Sequence, residues 1–131
     1  MLAMKTKKIL IVDNEEYIQE VTKICLETTT EWQVITASSG PEGIKQAEIE
    51  KPDAILLDVM MPGMDGITAF KNLQENYKTK EIPVIILTAT IQTSDNYRYT
   101  DLGIKAAIAK PFNPLTLAQE ISQVLGWKSE Q

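Results

Sequence analysis

The sequence predicts an α/β domain, a (βα)5 doubly wound sheet of five parallel strands. Three observations predict it. Short apolar runs alternate with helical patterns five times along the chain, the signature of parallel strands joined by crossover helices. Two of those runs, Ala54–Asp58 and Val84–Thr88, are apolar almost to their last residue, as suits strands buried on both faces. At 131 residues and 44% apolar composition the chain has the size of one domain with one core.

In order, the first strand is Lys8–Val12. The helix after it carries Ile18, Val21 and Cys25 on one face, with Tyr17 and Ile24 beside them. Gln33–Ala37 is a more polar strand that suits a sheet edge. Ser39 and Glu42 form a capping-box pattern for a second helix, whose inward face includes Ile44 and Ala47. Pro52 ends that helix, because the residue before a proline is pushed out of the helical region. Ala54–Asp58 then delivers a carboxylate to a loop that Pro62, Gly63 and Gly66 keep irregular.

Asp65 suits the N-cap of a third helix with Ile67, Phe70 and Leu73 turned inward. Pro83 opens the fourth strand. Ser94 suits the cap of a fourth helical pattern. Its residues 95–101 are polar or aromatic and offer little to a core, which marks the most mobile helix. Gly103 stops it. Ala106–Ala109 is the fifth strand. Asn113 caps the last helix, with Pro114 in its first turn. Leu117, Ile121, Val124 and Leu125 form its buried stripe, and Gly126 ends it. The whole reads as a single domain over 1–131 with its core at about 8–126.

Composition excludes several functions. A net charge of −5 argues against a nucleic-acid footprint, which needs a basic stripe. No apolar run approaches a membrane span. The basic residues near the start lack a following signal-peptide core, so a cytoplasmic location is expected. The lone cysteine, Cys25, rules out an internal disulfide and reads as core filler. There is no histidine. Ser-His-Asp and Cys-His catalysis are excluded, and the chain cannot carry a phosphohistidine itself. Chemistry falls to carboxylates, Lys, Thr and Ser, with a hard metal ion.

Those groups gather where the predicted strands end. Asp13 and Asn14 follow the first strand, Asp58 ends the third, Thr88 ends the fourth and Lys110 follows the fifth. In a doubly wound sheet these ends share one rim, where ligands bind. Two carboxylates and a neutral oxygen donor favour a bound cation, and Mg²⁺ prefers oxygen ligands. Lysine supplies a charge for phosphate oxygens, and threonine a hydroxyl donor. Around one carboxylate, these are parts for phosphoryl transfer. Each residue alone reads as an ordinary strand-end or surface group; the conjunction carries the argument.

The same residues resemble a known family. Ile9-Leu10-Ile11-Val12-Asp13-Asn14-Glu15 is similar to the acidic-pocket motif of response-regulator receiver domains in two-component signalling. Asp58-Val59-Met60-Met61-Pro62-Gly63-Met64-Asp65-Gly66 resembles their phosphoacceptor motif. Leu87-Thr88-Ala89 and Lys110-Pro111-Phe112 resemble their Thr and Lys-Pro motifs. The likeness runs over about residues 8–125 and is of the single-domain chemotaxis-regulator type. It implies a flavodoxin-like sheet of order 2-1-3-4-5. It implies that Asp58 accepts a phosphoryl group from a histidine kinase or phosphotransfer protein. Asp13, Asp58 and the Met60 backbone carbonyl, with Asn14 beside them, would hold Mg²⁺. Thr88 and Lys110 would meet the phosphoryl group, and the Lys110-Pro111 bond would be cis. Such a domain is a phosphoacceptor that assists its own reactions rather than an enzyme, and it signals by docking on a downstream protein.

Two positions depart from the family pattern. Asn14 stands where a second acid is usual, which predicts weaker Mg²⁺ binding; Glu15 reads as the start of the helix. Ala107 stands where a switching aromatic is usual, which predicts a muted surface change unless Tyr97 or Tyr99 substitutes. Two rival readings follow. A haloacid-dehalogenase-type phosphatase needs an acid two residues after its nucleophile, where this chain has Met60. A degenerate receiver would bind partners constitutively without being phosphorylated.

Overall fold

Branched apolar side chains fill the middle strands, and the sheet is built outward from them. The computed structural model describes residues 6–89 and 99–127. Five strands, β1 (Lys8–Val12), β2 (Gln33–Ala37), β3 (Ala54–Asp58), β4 (Val84–Thr88) and β5 (Ala106–Ala109), lie in the order β2-β1-β3-β4-β5. Every neighbouring pair is parallel. This is the flavodoxin-like order expected, with the polar β2 at an edge. Between the strands lie α1 (Glu16–Thr29), α2 (Gly40–Glu50) and α3 (Gly66–Glu75), and α4 (Leu117–Leu125) follows β5. Residues 99–102 are also helical and end at Gly103. The expected Ser94 cap, and the residues up to 98, lie outside the described residues.

Alternation along each strand sorts the core into two layers. Leu10, Val12, Ile55, Leu57 and Ile86 face Ala47 of α2 and Phe70 and Leu73 of α3. Ile9, Ile11, Leu56, Ile85 and Leu87 face Leu26 of α1 and Leu117 and Ile121 of α4. The sheet is therefore covered on both faces, and the strand ends are left as the rim on which polar groups can gather.

Three local expectations change on inspection. The buried face of α1 is Gln19, Thr22 and Leu26, whereas Tyr17 and Ile24 are 73% and 61% exposed. Gln19 decides the rotation: its side-chain amide donates to the Asp13 carbonyl at 2.6 Å and to Ser38 Oγ at 3.0 Å. That polar tether at the end of β1 outweighs the apolar periodicity. The α4 helix begins at Leu117, after a turn in which Asn113 Oδ1 accepts from the Leu115 N–H at 2.9 Å. Asn113 thus organises the approach to the helix and not its first residue. The Ser39 cap holds, accepting from the Glu42 N–H at 3.2 Å, but Glu42 answers the N–H of Ser38 at 2.8 Å.

Thr22 follows from the same rotation. Its hydroxyl is buried and, among the described residues, has no hydrogen-bond partner. A hydroxyl desolvated without compensation costs about 1 kcal/mol or more. Thr22→Val keeps the shape and removes the oxygen, and is expected to raise the urea midpoint at unchanged m-value.

Side chains cover the free edge of β2 at Val34. Gln33 gives its N–H to Lys7 O at 2.9 Å; the next residue, Val34, turns its backbone groups away from β1. There the Glu27 carboxylate accepts the Val34 N–H at 3.0 Å, and the Lys23 ammonium donates to the Val34 carbonyl at 3.0 Å. Lys23 and Glu27 are themselves paired at 3.1 Å, one turn apart on α1. The Val34 N–H is the main cause that holds the Glu27 carboxyl below its usual range. At the opposite end of the sheet from the rim, Trp32 and Trp127 meet edge to face with ring centres 5.3 Å apart.

Candidate functional site

Each strand end fixes one polar side chain at the rim. Asp13 is fully buried, and its N–H donates to Ala37 O at 3.0 Å, continuing the β1–β2 pairing by one residue. Its Oδ1 accepts the Glu15 N–H at 2.8 Å, which leaves Oδ2 turned to the pocket. Asp58 is the last residue of β3 and 3% exposed. Its Oδ1 accepts the Met60 N–H at 3.3 Å. Thr88 closes β4, buried, and its carbonyl accepts the Lys110 N–H at 2.8 Å. That bond carries the β4–β5 pairing one step past Ala109 and sets Lys110 beside Thr88. The Lys110-Pro111 peptide is cis, as the motif implied.

The Lys110 ammonium joins these elements. It lies 3.0 Å from Asp13 Oδ2, 3.1 Å from Glu15 Oε1 and 3.6 Å from Asp58 Oδ1. Burial pushes the Asp58 carboxyl above its usual range, and the Asp13 charge pushes the same way. The Lys110 ammonium and the Met60 N–H oppose them without prevailing. For Lys110 burial pulls downward, but hydrogen bonds to Asp13 and Glu15 and the nearby carboxylate charges outweigh it. Its pKa stands above the ordinary value, so the ammonium is charged at neutral pH.

The end of β3 is backed by the start of α3. Gly66 donates its N–H to Val59 O at 2.9 Å. A Cβ at Gly66 would stand 2.4 Å from Asp58 O and 2.8 Å from Val59 Cα. Asp65 caps this helix as expected, accepting the Thr68 N–H at 2.8 Å.

Asp13, Asp58, Thr88 and Lys110 thus share one rim. Asn14 is exposed next to Asp13, and Met60 is exposed in the loop after Asp58. Among the described residues no group of three or more acidic, His or Cys side chains is arranged to hold a metal ion. The oxygens that could be offered to a cation there are the Asp13 and Asp58 carboxylates, with the Asn14 amide and the Met60 carbonyl next to them in the chain. That set suits a hard cation, and two buried carboxylates with one cation between them have charge to spare. Two residues contribute more than the sequence suggests. Glu15 reaches Lys110, and Gln19 braces the β1 end. Glu15 is legible as an acid two positions after Asp13 on the rim that Lys110 shares. Ala107 and Tyr99 both pack, half-buried, against the α2–α3 core layer; Tyr97 lies outside the described residues.

Compared with known proteins, the sequence matches the response regulator receiver domain family over residues 9–122. The chain belongs to that family. It is 40% identical over 119 residues to the alkaline phosphatase synthesis transcriptional regulatory protein PhoP of Bacillus subtilis, covering 91% of this chain and 48% of PhoP. It is 34% identical to the response regulator PleD of Caulobacter vibrioides, covering 92% of this chain and 26% of PleD. The receiver domain therefore spans about half or less of the length of these relatives. Among solved structures it resembles the chemotaxis protein CheY4 of Vibrio cholerae, with TM-score 0.84, 28% identity, and 92% and 99% of the two chains covered. A response regulator from Chloroflexus aurantiacus gives TM-score 0.82 at 32% identity, with 93% and 99% covered. Receiver domains are the phosphoaccepting modules of two-component response regulators, generally with Mg²⁺ at the phosphorylation site. They are not enzymes in the usual sense, and they act through histidine kinases or phosphotransfer proteins and downstream targets. No described helix is long and apolar enough to cross a membrane.

Proposed function

We propose that this receiver domain is a stand-alone response regulator whose phosphoacceptor is Asp58. The observation that carries it is a buried strand-end carboxylate 3.6 Å from a charged lysine and sharing that lysine with Asp13. An Asp58 oxygen attacks phosphorus in line as the bond to the donor nitrogen breaks, and the donor imidazole leaves with that electron pair. Because the chain has no histidine, the phosphohistidine comes from a histidine kinase or a phosphotransfer protein. The Lys110 ammonium pairs with the phosphoryl oxygens as their charge grows, and the Thr88 hydroxyl donates to one of them. Asp13, Asp58, the Asn14 amide and the Met60 carbonyl would hold Mg²⁺, which supplies further charge neutralisation when bound. The product adds roughly −1.5 to −2 charges at the rim, and a separate protein reads the change.

Net charge −5 supports a protein partner over nucleic acid, and the lone cysteine supports a cytoplasmic setting. The test is intact mass after incubation with acetyl phosphate and Mg²⁺. A gain of one phosphoryl group, absent in Asp58→Asn, is expected. No gain in the parent chain favours a constitutive binding module, the reading that the uncharged Asn14 sustains. Asn14→Asp adds the missing charge and is expected to tighten Mg²⁺ binding several-fold by calorimetry; an unchanged affinity would place Asn14 away from the metal.

A further inference from the structure

We infer that Glu15 is a positioning residue for Lys110: it shares the ammonium with Asp13 and holds it short of Asp58. This rests on Asp58 being the phosphoacceptor. Two of the three carboxylates lie within hydrogen-bond reach of Lys110 Nζ, Asp13 at 3.0 Å and Glu15 at 3.1 Å. Asp58, at 3.6 Å, lies just beyond it. The lysine is thus drawn toward the β1 side of the pocket.

Glu15 occupies the N-cap position of α1, yet its side chain makes no capping bond. A carboxylate there has helix N–H groups to accept from and a favourable dipole to face. It lies against Lys110 instead. The same residue fixes Asp13 through its backbone, donating its N–H to Asp13 Oδ1 at 2.8 Å. Glu15 therefore governs both partners of the Asp13–Lys110 pair.

The three acids differ in how easily they let go. Asp13 and Asp58 are 0% and 4% exposed in their side chains, whereas Glu15 is 60% exposed. Water readily replaces the lysine at Glu15 and not at Asp13. When phosphoryl charge arrives on Asp58, the Glu15–Lys110 pair is the one that opens, and Lys110 turns to the new oxygens. Glu15 acts as a restraint that the phosphorylated state must overcome, and it lowers the affinity of the pocket for that state.

The experiment uses beryllofluoride with Mg²⁺ as the phosphoryl mimic, titrated by NMR into the parent chain, Glu15→Gln, Lys110→Gln and the double variant. Glu15→Gln keeps the shape and removes the charge. It is expected to bind the mimic about three-fold more tightly, the size typical of an exposed ion pair, with an unchanged urea midpoint within error. In the Lys110→Gln background the same change is expected to have no effect. Equal or weaker binding by Glu15→Gln overturns the inference, as does a gain that persists without Lys110. A parent chain that binds no mimic overturns the Asp58 reading, and the inference with it.

Discussion

Replacing Gly66 with alanine is expected to destabilise the domain by about 3 kcal/mol, the upper end of overpacking costs. The added Cβ would meet Asp58 O at 2.4 Å and Val59 Cα at 2.8 Å. Both are backbone, at the junction of a fully buried strand and the loop that follows it, and neither has a rotamer through which to yield. Relief requires α3 to slide off the end of β3, which also loosens Phe70 and Leu73 from the core. Because the displaced carbonyl belongs to Asp58, phosphoryl uptake should fall together with stability. Urea unfolding of Gly66→Ala beside Gly63→Ala checks the cause. Gly63 has open space around its Cβ position but a positive φ of 79°, so its substitution costs about 1 kcal/mol of backbone strain. Equal losses at the two sites would show that crowding against the β3 backbone is not what makes Gly66 necessary.

Asp58→Asn is expected to abolish phosphoryl uptake and to make the protein more stable at pH 7. The folded state raises the Asp58 pKa through burial and the Asp13 charge, so it disfavours the ionised form relative to the unfolded chain. The resulting penalty is fully present above the folded-state pKa. It fades as pH falls through that value and is gone below the unfolded one. Asparagine never carries it. The advantage of Asp58→Asn should therefore be largest at neutral pH and vanish in acid. Paired urea titrations at several pH values measure this. A variant less stable than the parent at pH 7 would mean that Lys110 stabilises ionised Asp58 more than burial disfavours it.

The sheet is legible in the sequence because its information is local. Apart from the more polar β2, each strand is a largely apolar run near turn residues, and the bounds of all five can be read before any packing is known. The rim is legible because topology alone brings strand ends together. The face of α1 is not, since its rotation depends on Gln19 reaching Asp13 and Ser38 across the fold. Helical periodicity in Tyr17, Ile18, Val21 and Ile24 points elsewhere. The start of α4 is obscured for a related reason: Asn113 and Pro114 make a turn that resembles a helix entry one turn early. Glu15 is legible only as an acid near the rim; its pairing with Lys110 is not, because the two are 95 residues apart.

The closure of β2 bears on how this molecule behaves among its own copies. An open sheet has a free margin where a strand from another molecule can add itself, by backbone bonds that ignore sequence. At Val34 those bonds are already made, by Glu27 and Lys23. A visiting chain would have to displace a paired acid and base to begin. Because the Val34 N–H holds the Glu27 pKa down, the acid stays charged to lower pH than a free glutamate. Two residues on the back of α1 thus help keep a small, mostly apolar sheet a private structure at the high local concentrations of a cell.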